Sequence, residues 1–233
     1  MEFFKEGLPE PTPEYLKPTE FLDFDTPSVQ EFAESRTDRA KTDIEKAVVL
    51  YYAVRDAVRY DPYKIDLERE TFRASHLLAR KAGFCLSKAN LLAASARAVG
   101  IHAAIGLSDV VNHLCTERLR HLMGDKELFL DHGYAVLYLD GEWVKAAPAF
   151  NIELCERFHV LPTEFDGKSD ALFQPFDSKG RRHMDYVRDH GIWSDFPYDL
   201  VVKSFRDYYP ESFYDPRARE TAQRRFEEEQ PLG

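Results

Sequence analysis

Apolar positions in this chain follow a helical period up to about residue 100 and a strand-like period beyond it. Ile44, Val48, Tyr51, Val54 and Val58 recur every three or four residues, which puts them on one helix face. Thr42 and Glu45 stand where a capping box needs them, so a helix over residues 43–60 is predicted, ended by Asp61-Pro62. A shorter helix is predicted over 74–81. Gly83 and Phe84 then lead into CLSKANLLAASARAV, a helix over 85–99 with Gly100 as its C′ residue. Its face of Ala89, Leu92, Ala93 and Ala96 is so thin that other elements must lie close against it. That places the helix centrally.

From Ile101 the pattern changes. Residues 101–106 read as a strand, 117–123 as a short helix and 134–139 as a second strand. Asp140-Gly141 is a type I′ hairpin signal, and residues 142–146 form the return strand. Beyond Pro148 the chain is rich in loops. A helix is predicted near 152–158, turns at Asp166-Gly167 and Lys179-Gly180, a helix near 183–190 and a helical stretch over 199–208. Residues 217–229 read as a charged terminal helix or a frayed tail. Helices come first and an antiparallel sheet follows, with no βαβ alternation, so the fold class is α+β.

Residues 1–40 differ from the rest. Pro9, Pro11, Pro13, Pro18 and Pro27 exclude a long regular helix before Pro27. The segment holds ten acidic and four basic residues, a net of −6. Disordered segments are poor in aromatics, so an irregular arm is predicted to lie on the domain through Phe3, Phe4, Tyr15, Phe21, Leu22 and Phe24. The expected division is an arm over 1–40, a main domain over 41–215 and a charged tail over 216–233.

Composition narrows the function classes. With 44% hydrophobic and 31% charged residues in 233, the chain is too apolar for disorder and too charged for a membrane protein. A net charge of −10 repels phosphate backbones, and no basic patch offsets it, so nucleic acid is not an expected partner. No apolar run is long enough to span a bilayer. The first residues lack the basic and apolar regions of a signal peptide. Cys85, Cys115 and Cys155 are odd in number and widely spaced. This excludes a disulfide scaffold and a CxxC zinc site and suits a reduced cytoplasm. His102, His121 and Cys115 do not recur at metal-ligand spacings, and no phosphate-binding glycine loop is present. No metal and no cofactor is expected. The oligomeric state is open.

Cys85 follows Gly83-Phe84 and opens a helix, where unpaired N–H groups and the helix dipole favour a thiolate. The same N–H groups can stabilise an oxyanion. Such a nucleophile needs a base, and His132, at the start of a predicted strand on the sheet edge, can face a helix terminus.

The run Gly83-Phe84-Cys85-Leu86-Ser87-Lys88-Ala89-Asn90-Leu91-Leu92, continuing to Arg97-Ala98-Val99-Gly100-Ile101-His102-Ala103, resembles the nucleophile segment of the transglutaminase-like superfamily. A second block, His132-Gly133-Tyr134-Ala135-Val136 with Asp140-Gly141 and Trp143-Val144, resembles its histidine hairpin in the same order. The resemblance covers residues 40–150. It implies a papain-like α+β fold with Cys85 as nucleophile and His132 as general base, paired as thiolate and imidazolium. It also implies a peptide or small amide as substrate, with hydrolysis or acyl transfer through a thioester. The family's third residue, an aspartate just before a proline, is replaced by Ala147 ahead of Pro148. Asn151, a backbone carbonyl or another residue could orient the imidazole, or nothing does, and such a loss slows a thiol site rather than abolishing it. The alternative reading, which Ala147 supports, is a binding protein that keeps the fold without turnover. Asn112, His113 and Trp143 are candidates to line the cleft, the histidine being otherwise a surface residue and the tryptophan a core or lid aromatic.

Overall fold

The computed structural model describes residues 8–113, 115–172, 184–218 and 225–231. Helix α1, Pro27–Thr37, lies inside the predicted irregular arm and corrects it. The prolines end at its first residue, where a missing N–H is harmless and the fixed φ suits a helix. Helix α2, Asp43–Ala57, begins on the predicted capping box: the Thr42 hydroxyl accepts the Glu45 N–H and the Glu45 carboxylate accepts the Thr42 N–H, each at 3.2 Å. It stops short of residue 60, because Arg59–Tyr60 extends as β1 and pairs in parallel with a second short strand. Helix α3 spans Ala74–Arg80, that partner strand β2 Ala82–Gly83, and α4 Cys85–Ala98. Strand β3 is Ala103–Asn112, α5 Glu117–Leu122, β4 Leu128–Leu139 and β5 Glu142–Ala146. Helix α6, Ile152–Phe158, precedes strand β6, Met184–Trp193, and helices α7, Tyr198–Tyr208, and α8, Glu211–Tyr214, follow it. The turn predicted at Lys179-Gly180 lies outside the described residues.

Helix α4 is the axis of the fold. Every residue from Leu86 to Arg97 is buried, packed against α1, α2, α3, β3 and β4. Its alanine-rich face lets these neighbours approach, and each large apolar side chain buried around it contributes about 1.5–3 kcal/mol. Lys88 lies wholly inside this core. Its Nζ donates to the carbonyls of Arg55, at 2.8 Å, and Val58, at 2.6 Å, closing the C-terminal end of α2. Burial pulls its amine down to about 7.

The sheet runs in the order β5-β4-β3-β6, antiparallel throughout. Asp140 and Gly141 both have positive φ, 48° and 90°, as the predicted type I′ hairpin demands. The helix predicted near 183–190 is overturned, since residues from Met184 on form β6. Buried β3 has a second edge whose N–H and C=O groups need partners, and β6 supplies them. Two register shifts in the β3–β6 pairing break the alternation along β6, which removes the signal a strand reading needs. Across the sheet's other face, Tyr15, Ala104, Tyr134, Val136, Trp143 and Ala147 form a small second core. The architecture is α+β, as the element order implies. Among the described residues, no helix is long and apolar enough to cross a membrane.

Candidate active site

Phe84 is the N-cap of α4, extended at φ −124°, and Ser87 reaches back so that its Oγ accepts the Phe84 N–H at 3.1 Å. This turn leaves Cys85 as the first helical residue. Backbone N–H groups of Gly133, Leu86 and Cys85 itself are directed at its sulfur. The approach of β4 that brings Gly133 there depends on the missing side chain. A Cβ on Gly133 would sit 3.0 Å from Leu86 Cα and 2.7 Å from Leu86 Cδ2.

Cys85 and His132 line one cavity of about 30 Å³, walled by Tyr60, Phe84, Phe129, Tyr209 and Phe213 among others. That volume holds about one water. Burial sets the protonation of both residues. It pushes the Cys85 thiol up to about 11, against the three N–H groups that pull it down, with the Asp131 charge adding to the rise. It pulls the His132 imidazole down to about 4. Both shifts favour the neutral thiol and the neutral imidazole over the thiolate–imidazolium pair, because an apolar surrounding penalises both charges. Cys115 and Cys155 expose less surface than Cys85, which is half-buried, and burial pushes their thiols up to about 12 and 11.

His132 does not begin its strand: it lies within β4, opposite Ser108 of β3 and ahead of the pairing with β5, which starts at Ala135, and its ring is 6.2 Å from that of Tyr186. Tyr209 secures the segment before it: its hydroxyl accepts the Leu130 N–H at 2.7 Å and donates to the Leu128 carbonyl at 3.2 Å. Nothing in the sequence around Tyr208-Tyr209 signals this role.

The other sequence candidates disperse. Asn151 is buried, and its Oδ1 accepts the N–H of Tyr60 at 3.0 Å, which ties it to the cavity wall. Ala147 is engaged through its backbone, with its N–H on Ala171 O at 2.9 Å and its carbonyl accepting from the Tyr51 hydroxyl at 3.3 Å. Asn112 and His113 line a different depression together with Cys115 and Arg120, and His113 Nε2 lies 2.9 Å from Asp185. Trp143 is buried in the second core, where its indole donates to the Pro9 carbonyl at 2.7 Å.

A family model described as the transglutaminase-like superfamily matches residues 30–148. Among solved structures the chain is similar to a candidate cysteine protease from Cytophaga hutchinsonii, at 14% identity and a TM-score of 0.47, covering 80% of this chain and 56% of that one. It is also similar to an arylamine N-acetyltransferase from Salmonella typhimurium, at 15% identity and a TM-score of 0.48, covering 83% and 72%. A candidate protease from Parabacteroides distasonis shares 17% identity at a TM-score of 0.37, over 55% of this chain and 26% of that one. The chain thus spans little more than half of the first of these and about a quarter of the last. No curated protein matches it.

Proposed function

The chain belongs to the transglutaminase-like superfamily, and from that premise we propose that it is a cysteine enzyme acting on amide or related acyl bonds through a thioester on Cys85. The observation that carries the reading is Cys85 at the first position of α4, its sulfur faced by N–H groups from two elements, in one cavity with His132. In the reaction, the Cys85 thiol gives its proton to His132 as sulfur bonds to the carbonyl carbon. The carbonyl electron pair moves onto oxygen, where N–H groups at the helix start stabilise it. The C=O then re-forms, the C–N bond breaks, and His132 returns the proton to the departing amine. Water or a second amine attacks the thioester carbon, and its proton passes through His132 to the sulfur. A neutral starting pair suits this sequence, because the proton moves only as the bond forms. An acyl group larger than a water needs the aromatic walls to part.

The test is acylation. Incubation with activated esters and amide libraries, read by intact mass and peptide mapping, should place an acyl adduct on Cys85. His132→Ala should slow its formation by about 100-fold or more, while His113→Ala leaves it unchanged. An adduct confined to Cys115 or Cys155, or one formed at full rate without His132, overturns the assignment. Ala147 at the third position favours a second reading, a binding protein that retains the fold. A Cys85 that never accumulates an adduct would support it.

A further inference from the structure

Asp109, on the central strand β3, is the residue at which both neighbouring strands slip. Strand β4 sets Leu130 and Asp131 against it, and in β6 the register skips Val187 and His190 on either side of the Arg188–Asp189 pair. Bulged residues re-aim side chains, and two of these converge. His190 Nε2 lies 2.8 Å from Asp109 Oδ1 and 3.9 Å from Asp131 Oδ1, and the Asp131 N–H donates to Asp109 Oδ1 at 3.1 Å. Asp131 is held in the left-handed region at φ 55° and is 3% exposed. The Ser204 hydroxyl approaches its carboxyl, yet Oδ2 accepts no hydrogen bond among the described residues.

The charges do not balance. Two buried carboxylates meet one imidazole, and among the described residues no lysine or arginine is ion-paired with either. Arg188, opposite Asp109 in register, is exposed. One imidazole cannot offset two ionised carboxylates. Buried charge of this kind is costly unless paired or bound to a metal. The three donor atoms lie within 4.8 Å of one another. Separations of 2.8 and 3.9 Å bracket the ~3.3 Å edge of a tetrahedron with bonds of about 2.0–2.1 Å.

We infer that Asp109, Asp131 and His190 form a site for a divalent transition-metal ion of the zinc class, with three protein ligands and one open position. The imidazole ligand selects such ions over magnesium or calcium, which take oxygen donors. Residues 109, 131 and 190 come from three strands and leave no spacing signature, so the sequence-level expectation of no metal could not register them. The site does not depend on any reaction at Cys85. Occupied, it pins the bulge immediately before His132.

The test uses the full chain after chelation, titrated with Co²⁺ alone. One equivalent should bind, with visible d–d bands, no thiolate charge-transfer band, and a Tm that rises with cobalt concentration. Asp131→Asn, which tolerates the left-handed backbone, and His190→Gln should each abolish the stoichiometric step, while His113→Ala retains it. Absence of stoichiometric binding to the wild-type chain overturns the site by itself, whatever the variants do. A thiolate band, or binding that persists in both ligand variants, overturns it as well.

Discussion

His132 and Lys88 show how far burial governs single residues in this protein. Both are bases enclosed by apolar side chains, and both are pulled towards neutrality. The sequence placed Cys85 correctly at a helix start, where the dipole alone favours a thiolate, but burial outweighs the dipole and drives the thiol up. Lys88 was not legible as a core residue, because a lysine in the run Leu86-Ser87-Lys88-Ala89 reads as the solvated side of a helix. For His132 the folded value of about 4 lies below the ~6.5 of an unfolded histidine. The unfolded chain therefore binds more protons between these values. The stabilisation is complete above about pH 6.5 and is lost as pH falls towards 4, by up to ~3 kcal/mol. Urea unfolding across that range should show this slope in the wild type and its loss in His132→Gln. Equal slopes would mean that His132 is not held neutral by the fold.

At the scale of elements, legibility followed regularity. The capping box of α2, the alanine face of α4 and the Asp140-Gly141 hairpin each obey a local rule, and each appears as read. Strand β6 obeys none, because its two register shifts against β3 interrupt any repeating pattern. The contact that matters most for the candidate site, β4 against the start of α4, depends on Gly133, which composition presents as an ordinary strand glycine. Gly133→Ala would force the Leu86 side chain and backbone away, at a cost of about 1–3 kcal/mol. It would also withdraw an N–H from the Cys85 sulfur. Acylation at Cys85 should slow at least ~10-fold while the urea midpoint falls. A variant that loses stability but reacts at the wild-type rate would detach this N–H from the reaction.

Across the whole molecule, both ends of the described chain fold back onto the domain. The arm docks where Tyr15 meets Trp143 edge-on, with ring centroids 5.3 Å apart, and where Arg97 donates to the Lys17 carbonyl at 2.7 Å. Of the aromatics expected to anchor the arm, Tyr15 makes this contact and Phe3 and Phe4 lie outside the described residues, whereas the tail's charge concealed its own packing. Phe226, read only as part of a charged tail, is 2% exposed and packs on Tyr60, Tyr63 and Phe158. Glu229 beside it accepts from the hydroxyls of Tyr63, at 2.8 Å, and Thr116, at 2.6 Å. Tyr60 is also a wall of the Cys85 cavity, so the tail braces the candidate site from outside. Phe226→Ala should cost about 3–5 kcal/mol, the usual effect of emptying a buried aromatic site. By loosening Tyr60 it should also open the cavity, so that iodoacetamide at neutral pH labels Cys85 faster while Cys115 and Cys155 stay slow. Thermal unfolding and mass-resolved labelling measure the two effects separately. A loss of stability with no change in Cys85 labelling would show that the tail supports the fold without controlling access to the thiol.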